Sequence, residues 1–399
     1  MQHNLWQQQP FCWPQGFTSD AVHAGLRYSR LDLGWLVSAV PANAAGVYTT
    51  NKVCAAPTTI TKNQVQATQQ LQALIVNSGF ANACTGEQGT QDVYTEQQLV
   101  ADKLGIAPSL VGVASTGLIG SPLPMDKMAA GIDQLKQTDN HLITQAILTT
   151  DTKAKTLCLK LSVDGKLCTL TGFAKGSGMI HPNMATMLGF VVTDCAIDAL
   201  TQQALLSELT PQTFNQITVD GDTSTNDMVL LLANGLAGNQ PIDQDHPEYA
   251  KVKQAYHFML TELAKMIAQD GEGATKLIEV NVKGAKNETQ ARIAAKNIVG
   301  SSLVKSAIFG ADPNWGRIIS SLGASQIELE PTQIDVSINQ MAVVKNGVAT
   351  SFNPDEVSEL LKNSTIVIDV QLHSGEGQGQ AWGCDLTYEY VNINASYST

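Results

Sequence analysis

A threonine at the mouth of a strand has the most unusual surroundings in this sequence. In Lys175-Gly-Ser-Gly-Met-Ile-His-Pro-Asn-Met-Ala185-Thr186-Met187, glycines and a proline lead directly into an apolar, β-like run, and small Ala185 precedes Thr186. A threonine hydroxyl is a weak nucleophile until a neighbouring base takes its proton. His181 is the only histidine nearby in sequence, and no Ser-His-Asp set is visible. One chemical solution makes the threonine N-terminal by self-cleavage. Its own α-amino group, with a pKa of about 7.7–8, then serves as the base. A Gly-rich turn before a buried strand explains the same spacing without any chemistry.

Three other segments carry polar groups in suggestive order. Ser115-Thr116-Gly117-Leu-Ile-Gly120 follows the apolar run LVGVA. Its backbone N–H groups could hold an oxyanion, or it is a plain strand-to-loop turn. Asp270-Gly-Glu272-Gly-Ala-Thr-Lys276 lacks the GxxxxGK[ST] spacing of a phosphate loop and precedes a strand, so Glu272 more naturally meets a cationic amine. The loop 218–227, TVDGDTSTND, lacks the closing glutamate of an EF-hand and reads as a polar active-site loop or a hydrogen-bonded turn. Seven histidines (3, 23, 141, 181, 246, 257 and 373) show no paired spacing, so metal catalysis has no support in the sequence.

The elements that must position these groups are short strands and longer helices. LQALIVN (71–77) and LVGVA (110–114) read as buried strands, with a helix over 92–104 between them that stops at Gly105. KTLCLKLSV and KLCTLTGF, joined by Asp164-Gly165, form a hairpin signal. Helical patterns cover 197–209 and 247–270, and strands are expected at 185–193, 276–284, IDVSIN, MAVV, TIVIDVQL and DLTYEYVNI. Antiparallel hairpins interspersed with helices argue for stacked sheets covered by helices, not for a doubly wound nucleotide fold.

With 399 residues, the chain suits two or three domains or one large α/β body. Its 43% hydrophobic content excludes wholesale disorder. With 24 basic against 36 acidic side chains and a net charge of −12, there is no basic run to meet a nucleic-acid backbone. Seven scattered cysteines without a CxxC pair indicate reduced thiols of a cytoplasmic protein. The start shows no signal-peptide pattern. The uncharged stretch from Leu104 to Met125 holds three prolines, which would break a membrane span.

Nine segments taken in order resemble a known family. GFTSDAVHAGLR, VNSGFANACTG, ASTGLIG, TTDTKAK, KGSGMIHPNMATML, TVDGDTSTND, DGEGATKLIEV, IVGSSLVKSAIFGADPNWGRI and CDLTYEYVNINASYST follow the order of the ornithine acetyltransferases, nearly end to end. Phe80 departs from the family's expected Asn and is expected to touch no assigned residue.

The resemblance implies an α/β protein, a four-layer α/β/β/α sandwich with a smaller α/β region. It implies self-cleavage between Ala185 and Thr186 into pieces 1–185 and 186–399, folded together as one body and assembled as a heterotetramer of two of each. Thr186 would be the nucleophile, and Thr116 and Gly117 would form the oxyanion hole. Thr152, Lys175, Thr186, Glu272, Asn394 and Thr399 would contact the amino-acid substrate.

The implied reaction carries acetyl from N-acetylornithine to glutamate through an acyl-threonine, in ping-pong order and in arginine biosynthesis. It needs no cofactor, and the sequence leaves open whether acetyl-CoA is a second acetyl donor. Two rivals follow from the same residues. A self-processing aminopeptidase or amidase would send the acyl group to water, and a non-catalytic amino-acid-binding protein would keep one intact chain.

Overall fold

A computed structural model of the chain describes residues 5–181 and 187–396; Ala185, Thr186 and Thr399 lie outside them. Among the described residues the strands form two sheets. The larger has nine strands, running from Gln7–Gln9 through the hairpin Lys155–Val163 and Lys166–Lys175, then Leu188–Thr193, Met228–Ala233, Leu33–Tyr48, Gln70–Phe80 and Val111–Leu118. The ninth strand, Phe17–Val22, pairs with Leu33–Tyr48. At the centre, LGFVVT and MVLLLA pair in parallel and every residue of both is buried. Continuous apolar runs are what a strand covered on both faces requires.

Local chemistry sets the edges of these elements. Asp164 and Gly165 both take positive φ, 51° and 72°, the mirror-image turn that matches the twist of a two-residue hairpin. Helix Tyr249–Gln269 buries Val252, Tyr256, Met259, Leu260, Leu263 and Ile267 at helical spacing. It packs against both hairpin strands of the large sheet and against Gly377–Cys384 of the other sheet.

The second sheet has seven strands, in the order Val348–Ala349, Met341–Lys345, Asp335–Ile338, Thr365–Gln371, Leu277–Ala285, Gly377–Cys384 and Ile217–Thr218. It shares an apolar core of its own with helices Glu288–Gly300, Ser302–Phe309, Trp315–Gly323 and Pro354–Leu360. This is the smaller α/β region, and the layered α/β class expected from the sequence is the class observed.

Three elements differ from expectation. The helix after the strand Gln70–Phe80 begins at Gly86, not at 92, because polar Gln and Thr residues hide its first turn. The strand expected at 110–114 continues as Val111–Leu118, so Thr116 and Gly117 belong to a strand and not to a loop beyond it. DLTYEYVNI, expected as a strand, contributes to helix Tyr388–Ser396. Its alternating aromatic and branched residues imitate a half-buried strand. The helix instead buries none of its residues and turns Tyr390 and Asn394, one turn apart, toward a common face.

Candidate active site

A cavity of about 260 Å³ opens where the C-terminal ends of several of these strands meet. Its size lies below the roughly 300–1,000 Å³ usual for drug-sized ligands, so its occupant is small. Thr116, Gly117, Lys175, Glu272 and Asn394 all line it. So do Met187 and Leu188, the residues that directly follow Thr186 in the chain.

Lys155 holds the surrounding loops together. Its ammonium, fully buried, lies 2.5 Å from Asp151 Oδ1 and 2.5 Å from Asp270 Oδ2. Asp151 also accepts the Gly176 N–H at 2.7 Å and the Thr149 N–H at 3.0 Å. Asp270 accepts the Thr152 N–H at 3.1 Å and the Thr152 hydroxyl, and its carbonyl accepts the Ser177 hydroxyl at 2.8 Å. The Ser177 carbonyl in turn accepts the Glu272 N–H at 3.0 Å. Burial works to raise the Asp151 pKa, but Lys175, Lys155 and the Gly176 N–H outweigh it and hold the carboxyl below its usual range. The result is one network joining the loop 149–152, the end of strand Lys166–Lys175 and the loop 270–273.

Lys175 turns its ammonium toward the cavity. It donates to the Thr149 hydroxyl at 2.7 Å and to the Thr116 hydroxyl at 3.4 Å, with Asp151 3.9 Å away. Burial lowers its pKa, while Asp151, Asp227 and Glu272 act to raise it. Among the described residues lining the cavity, Lys175 is the one cation, and Asp220, Asp222, Asp227 and Glu272 are carboxylates. Such a cavity suits an amino acid whose carboxylate meets Lys175 and whose ammonium groups meet the acids.

The strand carrying Thr116 is shaped by close backbone approach. Gly117 has φ +133°, and a Cβ there would stand 2.3 Å from the Gly79 carbonyl carbon, so no other residue fits. The pairing bulges at this point, with Phe80 opposite both Thr116 and Leu118. Phe80 therefore adjoins an assigned residue after all, through the pairing of its backbone. Buried Asn226 fixes the same corner, donating to the Ala81 carbonyl at 2.6 Å and the Ser115 carbonyl at 2.8 Å. On the opposite wall, Asn394 donates to Glu272 Oε2 at 2.8 Å. A Cβ on Gly178 would meet the Glu272 carboxyl at 2.4 Å, so a larger residue there would displace that carboxyl.

Thr152 is not brought to this cavity. It is exposed, gives its hydroxyl to Asp270 and lines a separate open hollow. Its neighbours Thr149 and Thr150 line the cavity in its place. The sequence reading also missed Asp151, Lys155 and Tyr390, while Asp220 and Asp227 lie in the loop 218–227 that it singled out without naming either residue. Lys155 opens an otherwise largely apolar strand, KTLCLKLSV, but Lys153 and Lys160 stand close by, so no local pattern singled it out. His181 does not line the cavity; burial holds its pKa down to about 4, and its Nδ1 pairs with the Thr218 hydroxyl at 2.9 Å. Among the described residues, no group of three or more His, Cys, Asp or Glu could hold a metal ion, and no helix is long and apolar enough to cross a membrane.

Comparison with known proteins places this geometry in a family. Residues 18–399 match the ArgJ family. This chain belongs to the ArgJ family. The arginine biosynthesis bifunctional protein ArgJ of Lactiplantibacillus plantarum is 56% identical over 389 residues, 98% of this chain and 97% of that protein. The ArgJ protein of Geobacillus kaustophilus is 52% identical over 390 residues, 97% of this chain and 95% of that one. A crystal structure of ArgJ from Bacillus halodurans, 52% identical, matches with a TM-score of 0.52, covering 53% of this chain and 100% of that chain.

Two outcomes follow for this ArgJ-family site. Lys155→Met leaves the Asp151 and Asp270 carboxylates buried without their shared cation and should cost about 3–5 kcal/mol in urea unfolding at pH 7. The contribution of Asp151 is present above its unfolded pKa of about 3.9 and is lost as pH falls through its lower folded value. The wild-type midpoint should therefore hold from pH 7 to about 4 as far as Asp151 is concerned. Equal midpoints for the variant and the wild type at pH 7 would remove Lys155 from its central place.

Truncation after Ile393 should leave the melting temperature nearly unchanged, because helix Tyr388–Ser396 buries no residue. Acetyl transfer should fall about a hundredfold as Glu272 loses its Asn394 partner. Near-normal kcat/KM in the truncated enzyme would remove the tail from the site.

Proposed function

We propose that the chain cleaves itself between Ala185 and Thr186 and then uses Thr186 to carry acetyl from N-acetylornithine to glutamate. The observation that carries this reading is convergence. Five residues assigned from the sequence, spread from Thr116 to Asn394, line one cavity whose wall continues into Met187, the residue bonded to Thr186. The Bacillus halodurans chain supports the cleavage, because its whole length matches only 53% of this one. A chain beginning at Thr186 would hold 214 of the 399 residues, a similar share.

In self-processing, Thr186 Oγ attacks the Ala185 carbonyl carbon. The C–N bond breaks as the C–O bond forms, and the hydroxyl proton passes to the released amine. Water then cleaves the ester, leaving an Ala185 carboxylate and a free Thr186 amine and hydroxyl. In the transfer cycle that amine takes the hydroxyl proton while Oγ attacks the acetyl carbonyl. Donors of the strand at Thr116 and Gly117 hold the oxyanion, a contribution of roughly 3–4 kcal/mol per donor of this kind.

Lys175 binds the α-carboxylate and Glu272 the ammonium group. Ornithine leaves with the acetyl group still on Thr186, and the glutamate amine attacks the ester. The acidic lining favours the more basic amino acid, so glutamate relies on Lys175 for its carboxylates. Thr152 contributes by orienting Asp270, and Thr399, outside the described residues, is assigned to the substrate by the resemblance.

The relatives are named bifunctional, which fits a second activity that acetylates glutamate from acetyl-CoA without a resident cofactor. The cleaved pieces remain together as a heterotetramer of two of each in the cytoplasm.

Thr186→Ala should remain a single full-length chain and transfer no acetyl, whereas the wild type gives pieces of roughly 20 and 23 kDa at ordinary residue masses. Wild-type enzyme quenched after exposure to N-acetylornithine alone should gain about 42 Da on the second piece, the acetyl of the covalent intermediate. Two pieces from the alanine variant, or no adduct while acetyl exchange is rapid, would contradict the assignment. Release of acetate without glutamate would indicate a hydrolase instead.

A further inference from the structure

The polar loop beginning at Thr218 grips the chain that leads into the scissile segment. Asp220 Oδ2 accepts the Met179 N–H at 2.6 Å, and Oδ1 accepts the Ile180 N–H at 2.8 Å. The Val219 N–H donates to the Ile180 carbonyl at 2.7 Å, and the Thr223 hydroxyl donates to the His181 carbonyl at 3.0 Å. Ile180 and Thr223 form an isolated antiparallel bridge. Beyond the segment, the Met228 N–H donates to the Met187 carbonyl at 2.9 Å. One stretch of chain, 218–228, thus holds both flanks of residues 182–186.

The grip acts on a costly conformation. Met179 has φ +55°, a left-handed backbone that an unbranched, non-glycine side chain adopts only when surrounding bonds impose it. The two N–H groups flanking that turn are the ones that converge on Asp220. Asp220 and Tyr390 of the C-terminal helix line the same cavity.

We propose that Asp220 is a positioning residue for self-processing, holding the Met179–Ile180 turn so that the Ala185 carbonyl is delivered to the Thr186 hydroxyl. The proposal rests on cleavage at Ala185–Thr186. Intramolecular attack requires the reacting atoms about 3–3.5 Å apart and aligned, and an error of about 1 Å can cost a hundredfold in rate. Bonds on both flanks of a five-residue segment lower the entropy cost of reaching that geometry. After cleavage the same bonds keep residues 179–181 of the first piece against residues 219–223 of the second.

The test follows cleavage of newly synthesised full-length chain on denaturing gels. Asp220→Asn keeps the size of the side chain but replaces one accepting oxygen with an NH2 that faces a backbone N–H. Self-cleavage should slow ten- to a hundredfold, to the extent that alignment is lost.

Asp194→Asn is the matched control, because Asp194 also accepts two backbone N–H groups, from Gln15 and Thr169, away from the cavity. It should cleave at the wild-type rate. In the uncleaved Thr186→Ala background, adding Asp220→Asn should speed deuterium exchange at Met179 and Ile180 at least tenfold.

Wild-type cleavage by Asp220→Asn, or equal slowing by Asp194→Asn, would overturn the proposal. Cleavage of Thr186→Ala itself would instead overturn the reading on which it rests. If Asp220→Asn fails to fold, Thr223→Val tests the same clamp through its bond to His181. A several-fold slowing supports the clamp, and an unchanged rate counts against it.

Discussion

One buried ammonium fixes the arrangement on which the rest of the site depends. Lys155 has no contact with water and lies 2.5 Å from a carboxylate of each of two loops, at Asp151 and Asp270. A buried ion pair gives little net stability, because the cost of desolvation offsets most of the attraction. Its consequence is geometric: neither carboxylate can leave the other two charges without stranding them. The loop with Thr149, the strand end with Lys175 and the loop with Glu272 are therefore held in one register.

That register produces the charge pattern of the cavity. Lys175 enters as a single positive group in the described lining, beside hydroxyls, amides, carboxylates and the apolar side chains of Ile119, Ile180, Met187 and Leu188. A site so arranged can recognise the common part of two amino acids, an ammonium and a carboxylate on one carbon. Ping-pong transfer needs that economy, since donor and acceptor occupy the same place in turn. His181 pairs through Nδ1 with the Thr218 hydroxyl, and burial lowers its pKa to about 4, which makes it a weak base. In the proposed reaction the base is the α-amine of an N-terminal threonine.

The fold was most legible where local chemistry dictates it. The Asp164-Gly165 turn, the strands bounded by glycines and the long helix Tyr249–Gln269 follow from turn residues and periodicity. Tyr388–Ser396 was misread because a helix that buries nothing has no apolar stripe, and its alternating aromatics imitate a strand. In the site, Lys175, Glu272, Thr116, Gly117 and Asn394 were legible from the family resemblance and meet at one cavity. Asp151, Lys155 and Tyr390 were not, because their importance lies in partners distant in sequence. Asp270 stands 115 positions from Lys155, and no local pattern pairs them. Thr152, assigned to the substrate by resemblance, gives its hydroxyl to Asp270, and its neighbours Thr149 and Thr150 line the cavity.

The central claim is that acetyl rests on the enzyme between two amino acids that never meet. Isotope exchange tests it directly. Wild-type enzyme mixed with N-acetylornithine and labelled ornithine, with no glutamate present, should move label into N-acetylornithine at a rate comparable to turnover. Exchange that appears only after glutamate is added would contradict an acyl-enzyme and require both substrates to be bound together.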